Sequence, residues 1–255
     1  MMRPTERFSS RAGDYARYRP GYPPAAIDLL AARCGLSATA VVADIGAGTG
    51  LLTEPLLERA AQVFAVEPNE RMRAAAEARL GGRARFRSVN GTAEATTLEP
   101  ASIDLIVVGQ ALHWFDLPRA RREALRIIRA GGYGALLWNE RPADPGPFLG
   151  DYEALLLRHA AEYAQVVARR AQEASMREFL GGAMERAAFP NHQSLDFEGL
   201  RGRLLSSSYA PEQGSPQYQP MLAELAEVFR RHARGGQVVF PYQTLVYFAP
   251  LTPVA

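Results

Sequence analysis

The sequence predicts an α/β fold: a doubly wound, mostly parallel seven-stranded sheet with a C-terminal antiparallel strand and helical cap elements. Three observations carry that reading. Between Ala40 and Asn139, short runs rich in Val and Ile and apolar on both faces alternate with segments of helical spacing, as in strands covered on both sides by crossover helices. The first such run ends in a glycine cluster, Gly46, Gly48 and Gly50, where a strand has to turn into a helix. After Glu140 the alternation lapses into a Pro/Gly linker, "RPADPGPF", then a mostly helical stretch over 149–188 and a late strand pair.

Each element has its own local signal. Ala25 to Cys34 is helical in spacing, with Pro23 and Pro24 suited to the first turn and Gly35 to a left-handed stop. Ala40 to Ile45 reads as a buried strand, Leu51 to Ala60 as a helix, and Gln62 to Val66 as a second strand ending at Glu67-Pro68. Asn69 is a good N-cap for a helix that Gly81-Gly82 ends. Strands follow at Ala84 to Val89 and Ile103 to Gly109, then an amphipathic helix from Pro118 to Ala130 closed by Gly131-Gly132, then a strand from Tyr133 to Asn139. Gln193 to Phe197 and Val238 to Phe248 form the late strand pair, with helices near Leu200 to Ser206 and Met221 to Arg234 between them. The organisation expected is one domain over 1–255: an N-terminal lid and helix (1–36), a ligand-binding core (37–140), a helical insertion (141–192) and a sheet-completing cap (193–255).

Composition removes several chemistries. All 29 basic residues are Arg, so a Schiff-base lysine, a pyridoxal-phosphate anchor and a Walker-type loop are excluded. The charge is nearly balanced, at +2, and the arginines are dispersed, so no nucleic-acid footprint is visible. Cys34 is the single cysteine, and His159, His192 and His232 lack metal-ligand spacing; no metal is expected. No G-x-S-x-G elbow, bilayer-length apolar run or signal-peptide pattern is present. The expectation is a soluble, cytoplasmic protein, monomer or homodimer, whose partner is a small-molecule substrate.

Glycines at a strand-to-helix turn let a ligand lie against the main chain, with the helix N-terminus offering free N–H groups. A dinucleotide loop spaces them G-x-G-x-x-G to seat a pyrophosphate. Here Leu51 stands where the third of those glycines belongs, which favours a nucleoside lacking phosphates. Glu67 ends the second strand, where a carboxylate offers two acceptors to the two hydroxyls of a ribose and would repel a 2′-phosphate. A solvated strand-end charge is the plainer alternative for Glu67.

In this order and at these distances, "VVADIGAGTGLLT", "VFAVEPNERM" and "FRSVNGTAEATTLEPASIDLIVVGQALHWF" resemble the class I S-adenosylmethionine-dependent methyltransferases. The resemblance covers about Val41 to Asn139 and implies a Rossmann-like sheet with S-adenosylmethionine as cofactor. "FSSRAGDYARYRPGYP" and "LLSSSYAP" further resemble a small-molecule subgroup that includes relatives of trans-aconitate methyltransferase. Carried over, it implies that Gly46, Ala47, Gly48 and Gly50 lie beside the methionine moiety, with Asp44 at the start of the loop. Glu67, followed by Pro68, would hold the ribose, and Thr92, Ala93 and Glu94 would meet the adenine. Many relatives have Asp or Asn where Thr92 stands, which passes the adenine contact to Glu94 or to backbone. Gln110 matches the position lining the methyl-donor pocket.

Methyl transfer needs an aligned nucleophile and exclusion of water, and positioning supplies much of the rate. His113, in "QALHWF", is the candidate base or polar clamp, against a hydrogen-bonded structural role. Trp114 and Phe115 either wall the substrate or pack under the next helix, and Asp116 is an N-cap. Tyr15, Tyr18 and Arg19 could close over a ligand, against simple surface packing; Tyr209, in "SSSYAP", could face the substrate from the other side, against a helix-ending turn. The function expected is methyl transfer to a small molecule, at a carboxylate or hydroxyl oxygen. The alternatives are an NAD-dependent oxidoreductase, opposed by the glycine spacing and the missing Lys, and a non-catalytic nucleoside-binding protein.

Overall fold

The computed structural model describes residues 17–164, 173–181 and 184–251. After α1 (Pro24–Arg33), β1 (Val41–Ile45) runs into α2 (Thr53–Leu57), and β2 (Gln62–Val66) into α3 (Glu70–Leu80). β3 (Phe86–Val89) and β4 (Ile103–Gly109) come next, then a short 3₁₀ turn at Leu112–Trp114 and α4 (Leu117–Ile127). β5 (Ile128–Glu140), α5 (Gly146–His159), α6 (Glu173–Leu180), β6 (Glu185–Leu195), α7 (Phe197–Leu205), α8 (Tyr218–His232) and β7 (Val238–Pro250) follow.

The seven strands form one sheet of order β3-β2-β1-β4-β5-β7-β6. β1 pairs in parallel with β2 from Val41↔Gln62 to Ile45↔Val66, and on its other edge with β4. The chain therefore winds outward from β1 to β3, then returns to place β4 on the far side. That reversal opens a crevice at the carboxyl ends of β1 and β4, where ligands sit in such sheets. β7 runs antiparallel to both β5 and β6 and is the antiparallel strand the sequence predicts.

Strand periodicity divides the core. Val42, Leu105 and Val107 face one layer with Leu30, Leu56 and Leu80; Ala43, Ile106 and Val108 face the other with Ala124, Ile127 and Phe179. Successive strand side chains point to opposite faces, so a run apolar at every position fills both layers. A third cluster joins α5, α7 and α8 through Leu149, Leu200, Leu204, Leu225 and Phe240 and builds the cap beside the sheet. Among the described residues, no helix is long and apolar enough to cross a membrane.

Three predicted boundaries move. α4 ends at Ile127, and Gly131-Gly132 lies inside β5, where the register to β4 slips between Ile103↔Ile128 and Leu105↔Tyr133. The glycines serve this bulge: Gly131 has φ +81°, and a Cβ on Gly132 would meet Ile128 and the Asp104 carbonyl at 2.6–2.9 Å. The late strand pair starts eight residues earlier than expected, at Glu185 in place of Gln193, shortening the helical insertion. Its eleven-residue register with β7 outweighs the helical composition of "ERAA", and Pro190 is tolerated because β6 is a sheet edge. Phe197 belongs to α7, not to the strand, because Asp196 caps that helix by accepting the Gly199 N–H at 2.7 Å.

Candidate functional site

At the carboxyl ends of β1, β2, β4 and β5, a cleft of about 420 Å³ opens between the sheet and the cap. Its floor is the loop after β1. The Gly46 and Ala47 N–H groups both bond the Val66 carbonyl, at 2.9 and 3.1 Å, so the loop stays tied to the end of β2. Gly46 has φ +72°, and a Cβ there would come within 2.6 Å of Ala111, so glycine is required twice over. Gly48 also has positive φ and lies 3.4 Å, at its Cβ position, from Met72. Gly50 does not line the cleft: its Cβ position faces Leu80 of α3 at 2.7 Å, and its N–H closes the turn on Ala47. Helix packing accounts for that third glycine.

Two carboxylates stand at this floor. Glu67 accepts the Gly48 N–H at 2.9 Å through Oε2 and the Asn69 N–H at 2.8 Å through Oε1. Each oxygen keeps a further lone pair. Burial raises its carboxyl, and the two backbone bonds oppose the rise. Asp44, 1% exposed, accepts from Thr53 Oγ1 at 2.6 Å through Oδ2, while Oδ1 meets no hydrogen-bond partner among the described residues. Burial pushes its carboxyl up to about 7, helped by the nearby Glu67 charge and opposed by Thr53.

The loop after β3 forms one wall. Thr92 and Ala95 exchange backbone bonds, and Glu123 of α4 anchors the turn by accepting the Thr96 N–H at 2.8 Å. Pro68, Thr92, Ala93 and Glu94 all line the cleft. The Glu94 carboxylate accepts the Asp116 N–H at 2.9 Å, which ties this wall to the next turn. Gln110 lines the opposite side with φ +59°, an unusual backbone for a residue with a Cβ, held by its N–H to Leu137 O and its Nε2 to Asn139 O. His113 is exposed at the mouth, its ring 4.5 Å from Trp114 and 6.0 Å from Trp138. Asp116 caps α4 through Arg119 N, as its position predicts.

These motifs meet the known methyltransferases. A family model described as "Methyltransferase domain" matches residues 43–136. The chain is 43% identical to an uncharacterized methyltransferase of Mycobacterium tuberculosis over 134 residues, 52% of this chain and 52% of that protein. A methyltransferase-like protein of Schizosaccharomyces pombe is 27% identical over 96% of both chains. Over residues 43–136 the chain is therefore similar to methyltransferases. Its match spans about half the length of the mycobacterial relative. The structure of a type II methyltransferase candidate from Anaeromyxobacter dehalogenans has the same fold, at a TM-score of 0.63 and 23% identity, covering 93% of this chain and all of that one.

Trp114, Phe115, Arg19 and Tyr209 join the core residues at the cleft, while Tyr18 does not. Tyr18 lies off the cleft, its ring against Gly202 of α7, where a Cβ would come within 2.2 Å of it. Surface packing explains Tyr18, and its carbonyl accepts Gln193 Nε2 at 3.1 Å. Tyr15 lies outside the described residues. Sequence reasoning missed Tyr22, Arg141, Arg203 and Tyr242, which also line the cleft. Arg141 directly follows β5, so the strand-end rule that found Glu67 would have found it. Arg203 carried no signal, being one Arg among 29 in a cap helix.

Proposed function

We propose that this protein transfers a methyl group from S-adenosylmethionine to a small-molecule acceptor within the cleft over β1 and β2. The observation that carries the reading is Glu67: its carboxylate is fixed by two backbone N–H groups yet keeps acceptor capacity toward the cleft. The residues present fit the cofactor. Glu67 would take the ribose hydroxyls, the Gly46–Gly48 main chain would lie along the methionine moiety, and buried Ala93 would offer a flat, apolar contact to the adenine. The Asp44 oxygen without a partner suits a donor on that ligand, whose positive charge would favour the ionised form of this carboxyl. When bound, the cofactor supplies a methyl group already activated on a sulfonium.

The chain's own contribution is then orientation and exclusion of water. Trp114, Phe115 and Trp138 wall the mouth, and Gln110 fixes the β4 edge. His113 is placed to accept a proton from a hydroxyl acceptor or to clamp it; an ionised carboxylate acceptor needs no base. The near-balanced charge supports a small molecule over nucleic acid, and a cytoplasmic monomer or homodimer completes the reading. Calorimetric titration with S-adenosylhomocysteine tests it. Saturable binding is expected, and absence of heat together with binding of NADH would replace methyl transfer with hydride transfer.

A further inference from the structure

At the cap end of the cleft stand two arginines, of which only one pairs with a carboxylate. Arg203 is 5% exposed; its Nε donates to Tyr242 Oη at 2.8 Å and its Nη1 to Ser207 Oγ at 3.3 Å. Among the described residues, no carboxylate lies within ion-pair distance of Arg203. Arg141 pairs with Glu153 and donates to Tyr163 Oη at 2.8 Å and Tyr209 Oη at 3.3 Å. Tyr163 Oη takes up the other oxygen of Glu153 at 2.5 Å. Glu140 also lines the cleft but pairs with neither arginine. Two guanidinium groups against one paired carboxylate leave a net positive charge out of water, an arrangement that is costly without an anion.

Aromatic rings surround both guanidinium groups. Arg203 lies 5.3 Å over the Phe240 ring and 5.7 Å over that of Tyr242, and those two rings stack at 5.0 Å. Arg141 lies 5.3 Å over Tyr152, whose hydroxyl is fully buried and meets no hydrogen-bond partner among the described residues. Burial works to raise the Tyr209 phenol, yet Arg141, Arg203 and Arg19 hold it below its usual value, so this hydroxyl sits in a field favouring negative charge.

We propose that Arg141 and Arg203, with the Tyr209 hydroxyl, form an anion subsite that anchors a carboxylate of the methyl acceptor, away from the atom that is methylated. The inference rests on the methyl-transfer reading for the word acceptor, whereas the anion site itself stands on the arginines. The excess of guanidinium over carboxylate charge matches an anion, and the aromatic rings around both arginines suit one with a planar apolar body. Guanidinium bonds draw on the lone pairs of a clamped carboxylate and make it a poor nucleophile, so the acceptor carries its reactive atom elsewhere, toward the glycine loop.

Calorimetry with benzoate, benzamide and inorganic phosphate, each titrated with and without saturating S-adenosylhomocysteine, tests the site. Benzoate is expected to bind, and its uncharged isostere benzamide about tenfold or more weakly. Arg203→Met should weaken benzoate about tenfold or more, with Arg203→Lys recovering part, while S-adenosylhomocysteine affinity stays within about twofold. Should Arg203→Met fail to fold, Tyr209→Phe keeps the packing and is expected to weaken benzoate alone. Equal binding of benzoate and benzamide, tighter binding of phosphate, or no benzoate binding at millimolar concentration overturns the proposal. Loss of S-adenosylhomocysteine binding with benzoate binding intact overturns the methyl-transfer reading instead.

Discussion

The carboxylate of Glu67 accepts the backbone N–H of Gly48 at 2.9 Å, so the tip of β2 holds the loop that follows β1. With the Asn69 N–H on its other oxygen, the same side chain spans both crossovers of the sheet. One residue thereby shapes the floor of the cleft and faces the proposed ribose. Its rigidity comes from backbone donors, which cannot rotate away.

Glu67→Ala removes both the loop tie and the ribose acceptor. S-Adenosylhomocysteine affinity is expected to fall by about 1–3 kcal/mol, read by calorimetry. Unchanged affinity would remove Glu67 from the site.

Gly46→Ala places a Cβ 2.6 Å from Ala111 at φ +72°. Urea denaturation should show a loss of about 1–3 kcal/mol, with cofactor binding weakened further. A variant as stable as the parent, binding normally, would contradict the close approach of the two loops.

Asp44 titrates with folding. Its folded value is raised from 3.8 to about 7, so the native state holds the proton more tightly and ionisation opposes folding. The stability this proton supplies is full below about pH 4 and is lost as pH rises through 7, on the order of 4 kcal/mol in all. Asp44→Asn is expected to become progressively more stable than the parent as pH increases over that range. Parallel stability profiles from denaturant titrations would show that Asp44 is ionised throughout.

His113→Ala separates base from clamp. Loss of a base lowers kcat by about a hundredfold and removes the acidic limb of its pH profile, with KM nearly unchanged. A rise in KM with the pH profile intact identifies a clamp, and a change of neither returns His113 to packing against Trp114.

Asp116→Ala deletes the cap of α4 and the side chain beside the Glu94 tie. A loss of about 1 kcal/mol is expected in urea denaturation, with substrate kinetics unaffected.

The alternation of apolar runs with helical spacing determined the sheet, because strands buried on both faces have to be apolar at every position, as Val42 and Ala43 are in opposite layers. The Gly46–Gly48 loop and Glu67 were legible for a similar reason: unusual backbone and strand-end charge leave local marks. Local marks misled where long-range pairing overrode them. The register with β7 made a strand of "ERAAFP", and a bulge against β4 claimed the glycines after α4. Only the tertiary structure turned Gly50 toward Leu80 and Tyr18 onto Gly202, away from the cleft. It also brought Arg141 and Arg203, 62 positions apart in a chain rich in arginine, to one buried slot. No periodicity encodes such a meeting, since an arginine becomes distinctive only when the fold removes it from water without a matching carboxylate.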